Sequence, residues 1–194
     1  LAGTQKNAWL KVLTSQFPDK PKEEIRILDI GTGPGFFPVI LAEAGYHVDA
    51  VDYTEGMLEK AKENAGELCR NIRFQRMDAQ KLEFADNTFD VVISRNLTWN
   101  LEHPDVAYRE WVRVLKAGGK LLNFDANWYG YLYEEEQRKA YENDRKNVEN
   151  NSLDDHYLCT DIERMERIAL QVPLSKIRRP EWDVKTLREA GLLG

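Results

Sequence analysis

Apolar residues follow two alternating rhythms over the first two thirds of the chain. IRILDI at 25–30 is a short apolar run ahead of a glycine-rich turn. FFPVILAEAG at 36–45 has apolar residues at helical spacing and closes on Gly45, the residue type that caps a helix C-terminus. HVDAVD at 47–52 alternates with period two, and Thr54 is placed to cap a helix predicted over 55–65. NIRFQRMD at 71–78 predicts a third strand. FDVVISR at 89–95 predicts a fourth, almost continuously apolar as in a strand buried on both faces. Pro104 suits a first helical turn, an apolar stripe follows over 106–115, and AGGKLLNFD at 117–125 supplies a turn and a fifth strand. Strands alternating with helices predict an α/β fold: a doubly wound, mainly parallel sheet with helices on both faces.

After Asp125 the pattern changes. The stretch from Trp128 is rich in Tyr, Glu, Asn, Lys and Arg, with a charged helix expected over 133–148 and further helices over 160–172 and 183–190. No repeat or linker divides the 194 residues, so one domain over 1–194 is expected, with a helical insertion or lid at about 128–182. Trp111 lies on the apolar stripe and reads as core, whereas Trp9 either packs on the sheet or closes over the site.

Charge narrows the partners. A net charge of -6, with its longest basic stretch (176–179) interrupted downstream by Glu181 and Asp183, argues against a nucleic-acid backbone as ligand. No apolar run reaches the roughly 18–20 residues of a membrane span. Cys69 and Cys159 stand far apart without metal-ligand spacing, so neither a disulfide framework nor a metal site is expected, and the setting reads as cytoplasmic.

In such a sheet, ligands bind beyond the carboxyl ends of the strands, near the point where strand order reverses. The first strand runs into DIGTGPG, where Gly31, Gly33 and Gly35 permit a tight turn and close backbone approach before a helix N-terminus. The second ends in Asp52, at the distance from the turn where an acidic side chain meets a ribose. The third ends in Asp78 and the fourth in Arg95 and Asn96. These ends converge on one rim.

LDIGTGPGFF (28–37), VDYTEGMLEKAKE (51–63), FQRMDAQKLEF (74–84), NTFDVVISRNLTWNL (87–101) and EWVRVLKAGGKLL (110–122) together resemble the class I S-adenosylmethionine-dependent methyltransferases of the small-molecule, type 11-like kind, whose fold is Rossmann-like. The resemblance covers about residues 25–125. It implies S-adenosylmethionine as cofactor, S-adenosylhomocysteine as product and a small-molecule methyl acceptor. It also implies that Gly31, Thr32 and Gly33 line the methionyl part and ribose, and that Asp52 accepts from the ribose hydroxyls. Tyr53 and Met57 would flank the adenine, Asp78 would accept from its amine and the Ala79 N–H would meet a ring nitrogen. Arg95, with Asn96 beside it, would approach the amino-acid end. Asp29 either orients the turn or touches the cofactor. The family pattern continues through two more strands, whereas this chain closes on LREAGLLG (187–194), so C-terminal strands are expected to be missing.

A sulfonium already activates its methyl group, so in-line displacement with proximity and desolvation dominant needs no base. If one acts, His103, Asp125 and His156 are the weak candidates. Substrate contacts are expected from Trp99 and Asn100 after the fourth strand and from Asn127, Trp128, Tyr129 and Tyr131 after the fifth. Those aromatics either meet the acceptor or anchor the insertion on the body. Two rival functions remain: a non-catalytic S-adenosylmethionine sensor, and a nicotinamide-dependent oxidoreductase, the latter disfavoured by GxGxG in place of GxGxxG.

Overall fold

The structure, a computed structural model, describes residues 3–151 and 161–192. Five parallel strands, β1 (Ile27–Ile30), β2 (Val48–Asp52), β3 (Ile72–Arg76), β4 (Phe89–Arg95) and β5 (Leu115–Phe124), lie in the order β3-β2-β1-β4-β5. This is the doubly wound α/β architecture expected. Order reverses between β1 and β4, which pair in register with Ile30 beside Ser94. Every residue of β1 is buried, because helices cover both faces. On one face Leu28, Ile30 and Val92 pack with Trp111 and Tyr108 of α4 (Pro104–Val114) and with Leu187 of α7 (Glu181–Glu189). On the other, Ile27, Val91 and Ile93 pack with Leu13 of α1 (Gly3–Thr14) and with Phe37 and Leu41 of α2 (Phe36–Glu43). Trp111 is core, as expected, and its indole N–H donates to the Ala79 carbonyl at 2.9 Å, fixing a residue of the rim from below.

The AGG sequence ahead of the fifth strand does not form a separate turn. β5 begins at Leu115 and absorbs Gly118 and Gly119 in an irregularity where its register against β4 shifts. A side chain at Gly119 would lie 2.9 Å from the Asp90 carbonyl, so the close approach of the two strands requires glycine there. Helix α3 (Glu55–Ala65) follows β2, and Trp9 of α1 meets Phe37 and Phe124 at ring separations of 5.3 and 5.0 Å; Trp9 therefore packs on the sheet. Beyond β5 come α5 (Glu135–Asn151) and α6 (Ile162–Ala169). Tyr131 stacks on Tyr141 of α5 at 4.1 Å and donates to Glu166 of α6 at 2.8 Å.

Candidate functional site

Each strand end contributes one wall of a cavity at the switch point. The Gly31 and Thr32 N–H groups both donate to the Val51 carbonyl, at 2.9 and 3.0 Å, so the turn after β1 is folded back over β2. Gly31 holds φ +70, and a Cβ there would meet Leu97 at 2.7 Å; its missing side chain lets the loops after β1 and β4 close on one another. A cavity of about 810 Å³ opens between them, lined by Asp29, Gly31, Thr32, Gly33, Asp52, Tyr53, Met57, Asp78, Ala79, Arg95, Asn96 and Asn100. Of the expected cofactor residues only Gly35 lies outside this lining. Its Cβ would stand 3.2 Å from the Ala61 backbone, so it serves the packing of α2 on α3.

Three of the carboxylates lining this space come one from each of the first three strand ends. Asp52 accepts from the Gly33 N–H at 2.8 Å and the Thr54 N–H at 2.9 Å, one on each oxygen. Each oxygen keeps a second lone pair for a donor in the cavity. Asp78 accepts from the Gln80 N–H at 2.8 Å through one oxygen. Asp29 is buried, which pushes its carboxyl up to about 7; Thr32 and Arg95 oppose the rise and the charge of Asp52 adds to it. The Arg95 guanidinium lies over the rings of Trp9, Phe36 and Phe37 at 4.9–5.8 Å, a cation held by aromatic faces. Gln80, Glu102, Phe36 and Leu101 also line the cavity and were not singled out in the sequence; they flank residues that were.

The base candidates fare differently. Asp125 is a structural residue: its side chain is 1% exposed. It accepts from the Thr98 hydroxyl, from the Trp99 and Ala126 N–H groups and from the Trp128 indole, and it pairs with Arg179 at 3.0 Å. So engaged and outside the lining, it has no free lone pair aimed at a reacting group. His103 is exposed at the start of α4. It lies outside the lining, and its backbone N–H anchors Gln80 at 2.8 Å. His156 lies outside the described residues.

The aromatics also divide. Trp99, Trp128 and Tyr129 with Asn96 line a second cavity of about 220 Å³ that shares Asn96 with the first. Tyr131 belongs instead to the stack with Tyr141 and anchors the segment after β5, and Asn127 accepts the Gly130 N–H through its carbonyl. Sequence inspection missed a buried network behind the rim. Arg179 donates to Thr98 at 2.8 Å and to both Asp183 oxygens at 2.6 and 2.8 Å; Asp183 also receives the Tyr108 hydroxyl, and Asn123 donates to Tyr108 at 2.9 Å. Its only local signal was the four-residue spacing of Arg179 and Asp183.

A doubly wound sheet with a glycine turn and three acceptor carboxylates around one switch-point cavity defines a domain built for a nucleoside-bearing cofactor. Residues 28–123 match the family described as "Methyltransferase domain", and the fold is that of the class I methyltransferases. It is 39% identical over 98 residues to a demethylmenaquinone methyltransferase of Clavibacter sepedonicus, covering 50% of this chain and 39% of that protein. It is 35% identical over 118 residues to phosphoethanolamine N-methyltransferase 3 of Arabidopsis thaliana, covering 58% and 24%. The chain thus spans less than half the length of these relatives. The fold is shared with Haemonchus contortus phosphoethanolamine N-methyltransferase 2 in complex with S-adenosylmethionine (TM-score 0.63, 22% identity, 95% of this chain and 36% of that one). Among the described residues no helix is long and apolar enough to cross a membrane.

Proposed function

We propose that this chain transfers a methyl group from S-adenosylmethionine to a small-molecule acceptor, in a cytoplasmic setting and not on nucleic acid. The observation that carries this reading is the donor–acceptor match of the cavity. Asp29, Asp52 and Asp78 are acceptors at three successive strand ends, and the cofactor presents an ammonium, a ribose diol and an adenine amine, all donors. Asp52 would hold the diol, Asp78 with the Ala79 N–H the adenine, and Asp29 the ammonium; Tyr53 and Met57 are exposed faces on which the base would lie. When bound, S-adenosylmethionine supplies an electrophilic methyl on a sulfonium and departs as neutral S-adenosylhomocysteine. The chain's own contribution is placement: the loops after β4 and β5 hold the acceptor near the rim, and the Trp128 and Tyr129 rings beside it keep water away.

Asp52→Ala is expected to weaken S-adenosylhomocysteine binding by about 1.5–3 kcal/mol, roughly 10- to 150-fold, the range for hydrogen bonds to a charged group. Isothermal titration of the wild type, Asp52→Ala and Asp52→Asn measures this. Undiminished binding by the alanine variant contradicts the assignment.

A further inference from the structure

The small cavity beside the rim has a chemistry of its own. Trp99 and Trp128 both commit their only polar group to the protein: the Trp99 indole N–H donates to the Asn96 carbonyl at 3.1 Å and that of Trp128 to Asp125 at 2.9 Å. Both rings therefore offer the cavity carbon faces and edges. Trp99 and Tyr129 lie 5.1 Å apart and tilted by 40°, while Trp128, 47% exposed, closes the third side. Among the described residues no lysine, arginine or histidine lines this cavity. The larger cavity that it meets at Asn96 has Asp29, Asp52, Asp78 and Glu102 in its lining against the single cation Arg95. If the cofactor carboxylate lies against Arg95, no protein cation is left at the rim for an acceptor's anionic group, and with S-adenosylhomocysteine bound, which has no sulfonium, such a group would face the net negative lining.

We infer that the acceptor is a ring-bearing molecule without an anionic group that seats its ring among Trp99, Trp128 and Tyr129, and that this subsite rejects a phosphorylated counterpart of the same ring. The inference rests on the methyl-transfer reading and narrows its acceptor. Discrimination comes from two physical sources. Burial of a flat apolar ring against aromatic faces favours the neutral molecule. A phosphate would lose its hydration without gaining a cation or a set of N–H donors in return.

The test titrates the full chain, saturated with S-adenosylhomocysteine, with 2-naphthol and with 2-naphthyl phosphate, which share one naphthalene ring system, the first without and the second with a dianion. Binding of 2-naphthol with the phosphate at least about tenfold weaker is expected. Trp99→Ala and Trp128→Ala should each weaken 2-naphthol by about tenfold or more while moving S-adenosylhomocysteine affinity less than about threefold. Trp128, exposed at the surface, can be truncated without opening the core. Phosphate binding as tight as naphthol binding, no naphthol binding by the loaded protein, or naphthol binding unchanged in both variants would overturn the inference and leave the cofactor reading standing. A folded protein that binds no S-adenosylhomocysteine would overturn both.

Discussion

Arg179→Ala is expected to destabilise the fold by about 3–5 kcal/mol, the loss typical when one partner of a buried ion pair is removed. The arginine side chain is 6% exposed, and Asp125 beside it 1% exposed. Without the guanidinium, Asp125 and Asp183 would be two carboxylates in a water-poor site with no cation. The loss corresponds to a fall of roughly 6–20 °C in melting temperature for a chain of this length. Arg109→Ala, which removes an exposed pair with Asp105 at 2.9 Å, should cost about 0.5 kcal/mol or less. Thermal and urea unfolding followed by circular dichroism compare the two. The network also reaches the site, because Arg179 and Asp125 both hold Thr98, which lies between Leu97 of the larger cavity and Trp99 of the smaller one. A loss below about 1 kcal/mol for Arg179→Ala would mean that the C-terminal segment is held by its apolar contacts alone.

Asp29→Asn is expected to do the opposite. In the folded protein burial raises this carboxyl from 3.8 to about 7. The unfolded chain therefore releases the proton at lower pH than the folded protein does. Folding is unhindered by this group below its unfolded value, and the penalty grows as pH rises from about 4 to about 7 and is complete above that. At roughly 1.4 kcal/mol per unit, the penalty is on the order of 4 kcal/mol at most. The ligand-free Asp29→Asn protein should consequently gain stability over the wild type at pH 8, and the difference should shrink towards pH 5. Melting curves of both proteins across that range measure it. A difference independent of pH would show that Asp29 is already ionised in the fold. Retaining such a group next to Arg95 fits a site whose carboxylate is stabilised only when a cationic ligand arrives.

Where burial alone decides, the chain is legible. Phe89–Arg95 and Glu55–Ala65 were bounded correctly from apolar pattern and capping residues, because a strand buried on both faces and an amphipathic helix each leave a dense periodic signal. The cavity lining was legible for the same reason: parallel topology sends every strand end to one rim, so Asp52, Asp78, Arg95 and Asn96 could be placed together from the sequence, while Asp29 stood open between orienting the turn and touching the cofactor. The start of β5 was misplaced because Gly118–Gly119 reads as a turn, whereas its glycines answer a tertiary contact with Asp90 that no local pattern encodes. Asp125 was offered as a weak candidate base on similar grounds. A carboxylate at a strand end can face the ligand or the core, and only Arg179, 54 residues on, decides which. Arg179 itself stood in a basic stretch weighed only against a nucleic-acid backbone; its contact with Thr98 spans 81 residues.

The most direct test of the central claim is a parallel calorimetric titration of the folded chain with S-adenosylmethionine, S-adenosylhomocysteine and NAD. Saturable one-to-one binding of both adenosyl ligands, with none of NAD, is the predicted result. Binding of NAD in preference to either adenosyl ligand, or no adenosyl binding by a protein that melts cooperatively, would contradict it.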